Sequence, residues 1–167
     1  MIKKIIFTII LSISLVSNSY SAGSSSSGGE GDGPKTKTNY EKAVKLIKSA
    51  NKHEKKGKKD KAQSSYEKAL KLLIKSNNKK PNKPDTLNYL GFTSRKLGDF
   101  ENGEKYYLQG LAINPYHIGI NEYLGELYVA TNRHNLAVER LEVLKGCDCK
   151  EYDDLKAIIA GEKVSKY

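Results

Sequence analysis

"YLGFTSRKLGDFENGEKYYLQGLAINP", residues 89–115, reads as two short amphipathic helices, with Gly91, Gly103 and Gly110 inside them. A glycine within a helix costs about 1 kcal/mol relative to alanine. Three in one stretch require a compensating gain. Displacing the sequence against itself by 34 residues lays "NYLG" (88–91) over "EYLG" (122–125), Gly103 over Ala137 and Tyr107 over Leu141. A shift of 41 lays "YEKAL" (66–70) over "YLQGL" (107–111) and Ala62 over Gly103. A period of this length built from two helices indicates helical hairpins stacked in series. Small residues then mark the points of closest approach. Gly91 or Ala50 is expected to face Gly103 or Ala62, and Gly110 or Ala69 to admit the next hairpin. Such approach lets Leu90, Tyr107 and Leu111 interlock at interior density, which offsets the lost helix propensity.

Local signals agree with these boundaries. Thr38-x-x-Glu41 is a capping box ahead of the first apolar run. Gly57, Gly98 and Asn132 stand where a helix-ending left-handed residue is expected. Pro84, Asp85 and Thr86 favour a helix start. "NNKKPNKP", residues 77–84, interrupts the period by seven residues and carries two prolines, so a lysine-rich loop is expected there. Near the end, "CKEYDDLKAIIAGEK" (149–163) sets Tyr152, Leu155, Ile158 and Ile159 at helical spacing, as a terminal capping helix requires. Asp153-Asp154 and the Glu139-x2-Glu142 pair read as solvent-facing helix charges.

These residues resemble the tetratricopeptide repeat family over residues 39–146. Its pattern is a large residue, Leu-Gly, an aromatic, Ala-x3-Phe and a closing proline. The middle repeat, from Pro84, has Leu87, Leu90-Gly91, Gly98 at the turn, Gly103-x3-Tyr107, Gly110 and Pro115, with Ser94 in place of the aromatic. The third, from Ile118, has Leu124-Gly125, Tyr128, Asn132 and Ala137-x3-Leu141, but Asn121 at the first large position and no closing proline. The first, from Ala43, fits at Leu46, Ala50, Gly57, Ala62-x3-Tyr66 and Ala69, and departs at Ser49 and His53. The resemblance implies an all-α fold, an α-solenoid of about three hairpins plus a C-terminal capping helix. The repeats fall at 38–83 (degenerate, with the loop), 84–117 and 118–148, and the capping helix and tail at 149–167. It also implies a non-catalytic module binding a protein or peptide along the inner faces of the first helices. Family groove positions fall on Asp85, Asn88, Phe92, Arg95 and Lys96, then on Gly119, Glu122, Glu126, Val129 and Ala130. Phe92 stands out as an aromatic anchor, against the alternative that it packs on a neighbouring repeat. Glu122 and Glu126 would repel a carboxylate, so a neutral or basic ligand segment is expected.

The first 21 residues order two lysines, an apolar run from Ile5 to Val16 and small residues at Ser19 and Ser21. This is a signal-peptide pattern, too short to span a bilayer, with cleavage expected before Ala22. A glycine- and serine-rich linker at 22–37 follows. The setting implied is export to a bacterial periplasm, or full secretion. Charge is uneven: residues 35–83 hold seventeen lysines against four acids, a balance of +13, while residues 84–167 carry −3. Three arginines in the whole chain and no aromatics interleaved with the lysines argue against nucleic acid. A solvated lysine face is the plain reading; an anionic lipid or polysaccharide surface of the envelope, or an acidic protein, is the alternative partner.

"GCDCKEY", residues 146–152, is the one motif with reactive potential. Cys147 and Cys149 in an exported chain read first as a disulfide, although a ring this small is tight and readily reduced. Pairing with another chain, a thiol redox role and soft-metal binding stay open on the residues alone. The resemblance favours the staple, since exported bacterial relatives often carry a cysteine pair before Glu-Tyr-x-x-Leu. His53, His117 and His134 have no spacing that gathers them with a carboxylate or nucleophile. No phosphate-binding glycine loop follows a strand. The expectation is therefore no enzyme, no cofactor and no metal, with the oligomeric state open.

Overall fold

The computed structural model describes residues 37–165. The expected signal peptide at 1–21 and the linker before Lys37 lie outside them. Seven helices and no strand occur among the described residues: α1 (Asn39–Glu54), α2 (Lys59–Lys79), α3 (Pro84–Lys96), α4 (Phe100–Ile113), α5 (Ile118–Ala130), α6 (His134–Leu144) and α7 (Lys150–Ile159). They pair as α1 with α2, α3 with α4 and α5 with α6. The hairpins stack through α2–α3 and α4–α5, and α7 closes the end against α5 and α6. This is the all-α solenoid of three hairpins and a capping helix.

The start of α1 follows from its capping box. Thr38 Oγ1 accepts the Glu41 N–H at 3.2 Å, and the Glu41 carboxylate accepts the Thr38 N–H at 2.8 Å. The backbone bond from Thr38 is the main reason the Glu41 carboxyl is held below its ordinary range. Thr38→Ala is expected to cost about 1 kcal/mol in urea unfolding. A change within error would mean that the box contributes nothing.

The glycines do what the repeat demands. A methyl built on Gly103 would lie 3.3 Å from the Gly91 carbonyl oxygen, so α3 and α4 touch backbone to backbone there. The hollow over Gly91 holds the Tyr107 ring, whose nearest atom is 2.5 Å from where a methyl would sit. Ile120 of the third hairpin fills the equivalent space at Gly110, which lets the repeats dock. Gly125 receives Leu155 of α7 in the same way. The capping helix is thus seated by the glycine that the repeat itself supplies, and its Leu155 and Ile158 are buried.

The loop expected at 77–84 is a correction. Helix α2 runs on to Lys79 and has 21 residues against 14 in α4. The seven extra residues are therefore about two more helical turns. Asparagine and lysine weaken a helix only slightly; the chain breaks where Pro81 removes a donor and restricts Lys80 before it. The connection shrinks to residues 80–83, with Asn82 in the left-handed region at φ 60°. The extended end of α2 overhangs the starts of α1 and α3.

Candidate partner-binding face

Four of the ten expected groove residues lie in the interior. Relative exposure is 7 % for Phe92, 2 % for Arg95, 4 % for Glu122 and 0 % for Glu126. The reason is stacking: α3 approaches α5 closely enough that side chains projecting between them are enclosed. Arg95 donates to Glu126 Oε2 at 3.2 Å and to the Tyr123 carbonyl at 2.6 Å, with its guanidinium 5.7 Å from the Tyr123 ring centre. Phe92 sits between Tyr66 and Tyr123, at centroid distances of 6.2 and 5.2 Å. It packs on neighbouring repeats, as the alternative reading had it. The charge of Glu126 is taken up by Arg95, so that residue does not face a ligand as a free carboxylate, and the argument against acidic ligands loses its ground.

Of the other six, Asp85 and Ala130 are exposed and Asn88, Lys96, Gly119 and Val129 are half-buried, although the Lys96 side chain itself is only 6 % exposed. Asp85 is exposed and meets His117 Nε2 at 3.1 Å. His117 Nδ1 accepts the Ile120 N–H at 3.2 Å and so caps α5, which leaves the proton on Nε2 to donate to Asp85. A histidine and a carboxylate thirty-two residues apart thereby clasp two repeats, a pairing that spacing along the chain did not show. Asn88 is half-buried, and its amide lies over Gly119, where a methyl would come within 3.0 Å. Lys96 pairs with Glu54 at 2.7 Å, its ammonium 5.6 Å from the Tyr66 ring centre. Val129 is half-buried against the core of the third hairpin.

Two clefts flank these first helices. One, of about 560 Å3, lies where α2 overhangs, and Lys37, Lys79, Lys80, Lys83, Tyr40 and Asp85 are among its lining residues. The other, of about 520 Å3, lies at the opposite end of α3, beside Glu54, Gln63, Tyr66, Lys96, Leu97 and Ser165. The single Tyr66 hydroxyl proton is shared between Asn51 Oδ1 at 2.5 Å and Glu54 Oε2 at 3.1 Å, and burial chiefly pushes its phenol up. All sixteen lysines from Lys37 to Lys83 are exposed, against four acids in the same span, a balance of +12.

At the far end, Asp154 is not a solvent-facing charge, as the sequence suggested. Its carboxylate takes both Lys150 and Lys163, and the Lys150 bond first, then Lys163, brings its pKa down to about 2. A carboxyl held below its unfolded value stabilises above about pH 4 and loses that contribution as pH falls toward 2. Amide exchange at residues 161–163, corrected for intrinsic rates, should therefore quicken between pH 4 and 2. Asp154→Asn should abolish that step, and an unchanged step in the variant would assign it elsewhere. The Cα atoms of Cys147 and Cys149 lie 5.1 Å apart between α6 and α7, a separation that a disulfide spans. No helix of the described residues is long and apolar enough to cross a membrane.

Residues 48–72 and 85–117 match the family model of the tetratricopeptide repeat. The fold is a solenoid like that of tetratricopeptide repeats. Solved structures agree. The first tetratricopeptide domain of Spaghetti (RPAP3) bound to the HSP90 peptide SRMEEVD is 20 % identical with a TM-score of 0.53, covering 75 % of this chain and 95 % of that one. The first such domain of human RPAP3 gives 20 % identity and a TM-score of 0.54 over 72 % and 91 %. The second domain of human RPAP3, in complex with the HSP70 peptide SGPTIEEVD, gives 17 % and 0.51 over 73 % and 98 %. At such identities the likeness is one of fold. No curated protein matches the chain. The α5–α6 hairpin lies outside the matched residues, yet it stacks on the second hairpin as that one stacks on the first.

Proposed function

We propose that this chain is a non-catalytic protein-interaction module which holds an extended polypeptide segment along α1, α3 and α5, the first helices of its tetratricopeptide hairpins. The observation that carries the reading is the pair of clefts at opposite ends of α3, with the half-buried Tyr40, Tyr89 and Tyr123 along the first helices, Tyr40 and Tyr89 5.9 Å apart. Rigid aromatic surface with polar groups at each end suits an extended segment. The peptide-bound RPAP3 domains support it, since the same fold there carries a short peptide. Peptides selected from a displayed random library on residues 37–167 should protect amides of α3 and α5. Val129→Glu should weaken them at least tenfold, and Leu108→Glu on α4 should not. Protection confined to α2, α4 and α6 would overturn the reading.

The setting proposed is the bacterial cell envelope, on the strength of the export pattern in residues 1–21. Cysteines closing as a Cys147–Cys149 disulfide fit such a compartment. The N-terminal sequence of the mature protein should begin at Ala22. Recovery with Met1 retained, from the cytoplasm, would refute export. A second reading has its own observation: the uniformly exposed lysines of α1 and α2 suit an anionic lipid or polysaccharide surface. It predicts binding to vesicles containing phosphatidylglycerol that disappears at moderate salt, while selected peptides stay bound.

A further inference from the structure

The last described residues do not run off into solvent. After α7 the chain reverses at Gly161, whose φ of 73° suits a residue without a side chain. The N–H groups of Glu162 and Lys163 both bond to the Ala157 carbonyl, at 2.9 and 3.2 Å, and Lys163 is pinned by Asp154. The chain then reaches the first helices. Ser165 donates its hydroxyl to Glu126 Oε2 at 3.1 Å, and it also lines the cleft beside Tyr66 and Lys96. Val164 faces outward at 87 % exposure, so the segment lies on the surface and is not part of the core. Beneath it, Glu126 Oε1 is buried and accepts no hydrogen bond among the described residues. A buried carboxylate oxygen left this way favours a further donor at that point.

We infer that residues 161–165 are an internal occupant of the partner-binding face, and that a partner reaches the Glu126 end of that face by displacing them. This rests on the reading that α1, α3 and α5 hold an extended polypeptide. The partner segment that fits carries a hydroxyl or cationic side chain to replace the Ser165 hydroxyl at Glu126, and it continues into the cleft beside Tyr66. The tail competes from a tether, so its effective concentration suppresses weak ligands without any tight contact of its own.

A fluorescein-labelled peptide of residues 161–167 is the probe, followed by fluorescence polarisation. A chain ending at Ala160 should bind it at least tenfold more tightly than the intact chain does. Ser165→Asp in the full chain sets a second carboxylate against Glu126 and leaves the helices untouched. It should expel the tail, quicken amide exchange at 163–165 and raise probe binding toward that of the shortened chain. Equal binding by intact and shortened chains, or no binding by the shortened and Ser165→Asp chains, overturns the inference. Library-selected peptides separate the two readings. Peptides that bind α3 and α5 equally with and without the tail leave the face standing and remove the tail from it. If no peptide binds any form, the face itself is wrong.

Discussion

Replacing Arg95 by alanine is expected to cost about 3–5 kcal/mol of folding stability, because it strands Glu126 as an uncompensated charge in the interior. Both side chains of this pair are fully enclosed, and the guanidinium also satisfies the Tyr123 carbonyl of the next repeat. The loss comes less from the attraction itself than from the desolvated carboxylate left behind. Removing both charges tests this: Arg95→Met with Glu126→Leu should recover most of the loss, and a net gain over the parent chain is compatible with the same physics. Urea unfolding of the two single variants and the double variant gives the coupling directly. If Arg95→Ala costs under about 1 kcal/mol, the range of an exposed pair, Arg95 and Glu126 stand in water as groove residues and the interior placement is wrong.

Tyr107→Ala is the second large effect, at about 3–5 kcal/mol, the range for removing a large buried ring. The ring is fully enclosed and fills the space that Gly91 leaves open between α3 and α4. Its hydroxyl, by contrast, has no hydrogen-bond partner among the described residues, and burial pushes the phenol well above its ordinary range. Tyr107→Phe removes that orphaned group and keeps the ring, so it should leave stability unchanged or raise it by up to about 1 kcal/mol. The two variants together assign the role of Tyr107 to its ring. A Tyr107→Phe loss larger than about 1 kcal/mol would show that the hydroxyl is satisfied after all.

Periodicity along the chain was enough for the hairpins. Gly91, Gly103 and Gly110 recur at one register because helices can meet only where side chains are smallest, and that constraint is local to the pattern. The capping box at Thr38 and the left-handed stops at Gly57, Gly98 and Asn132 were legible for the same reason. Each depends on neighbours a few residues away. Asn77-Asn78 misled because weak helix formers mark a loop only on average, and the real stop was the first proline.

The site was read less well. Family positions marked Phe92, Arg95, Glu122 and Glu126 as groove-facing, yet whether such a position meets solvent depends on the distance between α3 and α5. No spacing within one helix encodes that distance. His117 with Asp85 and Ser165 with Glu126 likewise join residues far apart in the chain, brought together only by tertiary packing. Short-range order, set by backbone conformation and the repeat of small side chains, belongs to the chain as written. Which charges are buried, which carboxylates find partners and what lies across the first helices follow from how three hairpins and a returning tail pack, because desolvation and pairing act through space.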